Sequence, residues 1–190
     1  MNRRDYFKSA LAIFGFTLFS SPAVRLFSFN KLDGRELLKR KALIADLSEL
    51  IIPAGETPGA KMASVEEYII RVMLDCRETK QQRKFLNGLM DLENYTLNVY
   101  EMDFIHCSRA IQYKVLKHFF EEETFSQSLM NKIRKKILGK SFMLELRDLS
   151  IEGYCQSQLG ATFGLRYDYV PGNYQPCIIS DPHQRSWATK

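Results

Sequence analysis

His118, Glu121 and Glu122 stand at i, i+3 and i+4 of a predicted helix, so an imidazole and two carboxylates share one face. Helical bundles hold metals with related spacing, but they need a matching set from a second helix, and no Glu-x-x-His occurs in this chain. A solvated, charged helix end is the expected role of all three. His106-Cys107 offers a thiol and an imidazole, yet neighbouring helical positions do not face one another, and only Glu101 and Asp103 lie close to His106 in sequence. His183 sits in a proline-containing tail and is expected to be exposed. The four cysteines (Cys76, Cys107, Cys155, Cys177) form no C-x-x-C or C-x-x-C-H, which removes redox, zinc-ribbon and covalent-haem motifs. Cys76 and Cys107 read either as small buried hydrophobes or as disulfide partners. Gly153, Gly160 and Gly164 have the wrong spacing for a dinucleotide loop and follow a helix, and no G-x-S-x-G elbow appears. The body of the chain therefore offers no cofactor site of its own.

Against that poverty stands the start of the chain. Arg3-Arg4, then Asp5-Tyr6-Phe7-Lys8 and the uncharged run Ser9 to Val24, read as a twin-arginine export signal, with Arg3, Arg4 and Phe7 as its recognition residues. The run is just short of the ~17–25 apolar residues of a membrane-spanning helix, so an uncleaved anchor is the second choice. Arg25 closes the apolar stretch with a positive charge, and Ser20-Ser21-Pro22-Ala23 is the nearest approach to a cleavage site. The twin-arginine route carries folded proteins, often ones already holding a cofactor. An address of that kind on a chain without a cofactor site points to a partner as the passenger.

Charge limits the partners. The chain carries a net +5, but residues 1–28 hold Arg3, Arg4, Lys8 and Arg25 against Asp5, which leaves the body at +2. That small excess argues against a nucleic-acid footprint. The remaining basic cluster, Lys132, Arg134, Lys135, Lys136 and Lys140, reads as a solvated helix end.

The elements that must position these residues are helices. After a signal helix (1–28) and a polar hinge at Asn30–Gly34, one domain (29–190) opens with a helix from Arg35 to Ile52, stopped by Pro53. Two prolines and two glycines make 53–60 an ordered loop. Ser64-Val65-Glu66-Glu67 predicts a capping box opening a helix through Ile69, Val72, Met73 and Cys76. Further helices are predicted over 81–100, 108–120, 124–138 (with Thr124-Phe125-Ser126-Gln127 as its capping box and Gly139 as its stop) and 141–154. From Gly160 the glycines and prolines predict an irregular arm (160–190) with tyrosines at 167, 169 and 174 as anchors. Cys155 and Cys177 flank the arm's first half and are a candidate disulfide, with other pairings open. The expected fold class is all-α, a single helical bundle with an extended irregular C-terminal arm.

Two segments carry a family resemblance. Ile52-Pro53-Ala54-Gly55-Glu56-Thr57-Pro58-Gly59-Ala60 resembles an early motif of the gluconate 2-dehydrogenase subunit 3 family, in which aspartate is more usual at the position of Gly55. The second runs from Arg147 through Glu152-Gly153-Tyr154, Gly160-Ala161-Thr162, Tyr167-Asp168 and Val170-Pro171-Gly172 to Tyr174 and Cys177. The resemblance implies a small non-catalytic subunit of a membrane-associated dehydrogenase complex, exported to the periplasm. It implies a large partner holding FAD, often a c-type cytochrome partner holding haem, and passage through the twin-arginine translocase. Pro53, Glu56, Pro58, Glu152, Gly153, Tyr154, Gly160, Tyr167, Pro171 and Tyr174 are the candidate structural or partner contacts, with Glu56 and Glu152 expected to fix the loop and the arm. The alternative is an independent periplasmic helical protein, binding metal or acting in redox chemistry through His118, Glu121 and Glu122 or the cysteines.

Overall fold

The structure is a computed structural model, and it describes residues 34–125, 140–170, 172, 177 and 184–188. The signal segment 1–28, residues 126–138 of the helix predicted over 124–138, and Pro171, Tyr174 and His183 lie outside the described residues, as do Lys132 to Lys136. The elements are α1 (Gly34–Lys39), α2 (Lys41–Ile51), α3 (Val65–Asp75), α4 (Thr79–Tyr100), a 3-10 turn (Phe104–His106), α5 (Arg109–Phe125), α6 (Phe142–Gln156) and a π-helical turn (Gly160–Gly164). The all-α expectation holds: among the described residues there are no strands, only one isolated bridge between Arg166 and Trp187.

The predicted helix 35–52 is broken at Arg40 by its own side chain. The Arg40 guanidinium donates to the Glu36 carbonyl (3.1 Å), the acceptor that the Arg40 N–H would use in a continuous α-helix. That N–H turns to the Leu37 carbonyl instead (3.1 Å), and the same guanidinium reaches Glu93 on α4 (2.9 Å). The capping box expected at Ser64 is not formed either. Ser64 takes a left-handed conformation (φ 53°) and makes no side-chain cap. A reach-back bond of that kind occurs one helix later, where the Gln81 side chain accepts the Glu78 N–H (3.3 Å) at the start of α4. Thr124 and Phe125, expected to open a new helix, are the last residues of α5.

α3 and α6 form the centre, running antiparallel, since Tyr68 near the start of α3 meets Gly153 near the end of α6 and Arg77 meets Glu145 (2.8 Å). α4, about 33 Å long at 1.5 Å per residue, spans the bundle and packs Phe85 edge-on to Phe142 of α6 (centroids 5.3 Å). Leu43, Ile44, Leu47, Ile69, Met73, Leu89, Leu92, Met143 and Leu146 are wholly or almost wholly buried between these helices. Gln82, itself buried, donates to the Leu74 and Arg77 carbonyls and so satisfies the end of α3.

Candidate functional site

The two motif segments, distant in sequence, meet at Tyr154. Its ring is buried and its hydroxyl donates to the Pro58 carbonyl (2.8 Å). α6 thus delivers one side chain that joins the end of the bundle to the 53–60 loop. Around it the backbone is packed too closely for any larger residue. A Cβ on Gly160 would lie 1.9 Å from the Tyr154 carbonyl oxygen, and one on Gly164 would lie 2.6 Å from the Tyr154 hydroxyl. Ser157 completes the joint: its Oγ donates to the Tyr154 carbonyl (2.7 Å) and accepts the Gly160 N–H (2.9 Å).

Residues 160–164, expected to begin the irregular arm, form a π-helical turn. The Leu165 N–H reaches back five residues to the Gly160 carbonyl (2.9 Å), and the irregular chain begins only at Leu165. Beyond it the arm folds onto itself. The Arg166 N–H donates to the Ser186 carbonyl (2.8 Å) and the Ala188 N–H to the Arg166 carbonyl (2.9 Å), while the Arg166 guanidinium lies 4.2 Å over the Trp187 ring. Arg185 adds a hydrogen bond to the Phe163 carbonyl.

The loop is held by a residue that sequence reasoning missed. Glu49, on the last turn of α2, accepts the Ala54 N–H (3.0 Å) with one carboxylate oxygen and the Lys61 N–H (2.8 Å) with the other. Arg109 of α5 donates to the Glu49 carbonyl (2.9 Å), and the Ala60 N–H closes the loop onto the Ile52 carbonyl (3.0 Å). Glu56, expected to fix this loop, is exposed, as is Pro53; Pro58 is half-buried. Glu152 is exposed and bonds sideways to Tyr68 and Gln156, holding the helix pair and not the arm. Burial, and then that hydrogen bond to Glu152, raise the Tyr68 phenol above its ordinary range. Gly153 is buried where the Tyr68 ring crosses α6, leaving no room for a side chain. Tyr167 is exposed on the arm.

The residues first singled out for chemistry do not assemble as far as they are described; the Glu122 side chain, like His183, lies outside the described residues. His118 is not a solvated helix end: it is half-buried and stacks on Tyr95 of α4 (4.5 Å, 21° between planes). Glu121 pairs with Lys117 (3.6 Å). His106 lies exposed beside Asp103 (3.6 Å), whereas Cys107 is buried and its thiol is pushed up by burial. All four cysteines are free thiols, so Cys155 and Cys177 are not bridged, and Cys76, expected to be buried or paired, is exposed. Lys140 pairs with Asp148 (3.0 Å). Among the described residues no three His, Cys, Asp or Glu side chains converge as a metal site, and no helix is long and apolar enough to cross a membrane.

The gluconate 2-dehydrogenase subunit 3 family model matches residues 39–172. This chain belongs to the gluconate 2-dehydrogenase subunit 3 family. The matched range holds α2 to α6, the Glu49-held loop, the Tyr154 joint and the arm as far as Gly172. It makes the chain an accessory subunit of a dehydrogenase complex, with the other subunits as its partners. Neither the curated proteins nor the solved structures contain a match.

Proposed function

We propose that this chain is the non-catalytic small subunit of a flavin-dependent dehydrogenase complex, and that it acts as adaptor and export chaperone for the large catalytic subunit. FAD belongs to that large partner and haem c to a cytochrome partner. The assembled complex works in the periplasm, attached to the membrane through its subunits. One observation carries the reading: Arg3-Arg4 ahead of an uncharged run, on a member of a family of complex subunits. A folded flavoprotein without a signal crosses by holding on to something that has one. The interlocked loop and arm root support the adaptor part of this, because their hydrogen bonds fix one end of the bundle as an ordered surface.

The test is fractionation of cells carrying Arg3→Lys with Arg4→Lys. Both this chain and the flavin-bearing subunit should stay in the cytoplasm, with periplasmic dehydrogenase activity lost. Normal periplasmic activity in the double variant would sink the carrier role.

A further inference from the structure

Among the described residues, large apolar side chains are exposed singly at Leu38, Met62, Met90, Tyr113 and Ile151, and in numbers at two places. One is the end of α4 and the turn that follows it, with Leu97, Val99, Met102 and Ile105. The other is the arm, where Phe163 is 56% exposed, Tyr167 45%, Tyr169 86%, Val170 72% and Trp187 40%. Single exposed apolar residues are ordinary on a protein surface, but several brought to one place mark an interaction site. The arm brings them together by a device. Two backbone hydrogen bonds and the stacking of Arg166 on Trp187 tie segment 184–188 beside 165–168, and Arg185 ties it to Phe163. The chain is closed at its neck, and 167–170 leaves that neck directly. Its root is fixed in turn by the Gly160 and Gly164 contacts with Tyr154.

We propose that Tyr167, Tyr169 and Val170, presented by the Arg166–Trp187 clamp, form the surface on which the large flavin-bearing subunit docks. This rests on the adaptor role proposed above and adds where the partner sits. The occupant follows from three observations. The matched family range runs to residue 172, so these exposed apolar residues belong to the part that defines a family of complex subunits. Nothing among the described residues covers Tyr169 or Val170. The clamp orders the surface before any partner arrives, which lowers the conformational entropy lost on binding and favours a long-lived complex. A carrier that must keep its passenger through translocation needs slow dissociation. Aromatic side chains on a pre-ordered surface supply that better than charges, which are screened by salt.

The experiment measures the dissociation constant of the full-length chain for the purified flavin-bearing subunit of its own complex. Wild type is compared with Tyr169→Ser/Val170→Ser, Trp187→Ala and Met102→Ser/Ile105→Ser, each checked by a circular-dichroism melt. The arm double variant should keep its melt, because both side chains are exposed, and bind at least about tenfold more weakly. Trp187→Ala leaves the tip residues intact but frees the neck, and a loss of about fivefold is expected. The α4–α5 variant should bind as wild type does. Unchanged affinity of the arm double variant overturns the surface, as does loss confined to Met102→Ser/Ile105→Ser. Unchanged affinity of Trp187→Ala overturns the clamp's part. Self-association of the wild type that the arm variant abolishes, with partner binding intact, assigns the surface to a second copy and overturns the proposal. A wild-type chain that fails to bind the flavin subunit at all refutes the adaptor reading itself.

Discussion

Tyr154 does the work of a joint because it combines a buried ring with one hydroxyl that has a single well-placed acceptor. Tyr154→Phe keeps the ring and removes only the donor to the Pro58 carbonyl. A hydrogen bond of this kind contributes about 1 kcal/mol net, and Pro58 is half-buried, so water can replace part of it. The melting temperature should fall by about 3 °C, and proteolysis should become faster within 53–60 before it does so elsewhere. An unchanged melt and cleavage pattern would show that ring packing alone holds the loop. The resemblance pointed to Tyr154 and Pro58 without showing that they touch, since ninety-six residues separate them. Glu49 was not legible. It lies in the polar stripe of an ordinary amphipathic helix, and its partners are backbone N–H groups five and twelve residues ahead. Glu56 drew attention because it sits between prolines, but position within a motif does not say which carboxylate turns inward.

At the level of elements, apolar periodicity located α3, α4, α5 and α6 to within a few residues, because each buries a stripe against neighbours on one side. It failed where a side chain or a backbone contact overrides the local pattern. Arg40 splits a helix by capturing a carbonyl, and Ser64 gives up its cap for a left-handed turn. At Gly160–Gly164 the two glycines argue against helix in the sequence, yet they are the residues that let the π-turn press against Tyr154. Gly88 poses the same question inside α4. By propensity, Gly→Ala in a helix interior should stabilise by about 1 kcal/mol. Here a Cβ would lie 2.2 Å from Phe142 Cγ and 2.5 Å from Phe142 Cβ, atoms near the root of the side chain that cannot swing away. The Phe85–Phe142 edge contact would be forced apart with them. Overpacking of that severity costs roughly 1–3 kcal/mol and outweighs the propensity gain. Gly88→Ala is expected to lower the melting temperature by a few degrees, and a rise would mean that α4 and α6 slide apart freely.

For the molecule as a whole, folding and addressing should be separable. Every buried apolar residue among those described lies between Leu37 and Tyr154, and the contacts that hold the arm's root and neck lie between Pro58 and Ala188. Residues 1–28 read as an address that the polar hinge at Asn30–Gly34 sets apart from this body. Deleting that segment should therefore leave the melting temperature within about 2 °C of the full chain, a shift below the effect of one ordinary contact in a domain of this size. The shortened chain should also bind the flavin-bearing subunit with the affinity of the full chain, because the proposed docking surface lies in the arm. Export of both should nevertheless be lost. The combination is informative because the two alternatives fail differently. If the leader packs into the bundle, the deletion lowers the melt by about 5 °C or more. If the leader itself holds the partner, the melt is unchanged and binding disappears. An unchanged melt, unchanged binding and a complex confined to the cytoplasm would assign the address to residues 1–28 and the grip to the body that follows.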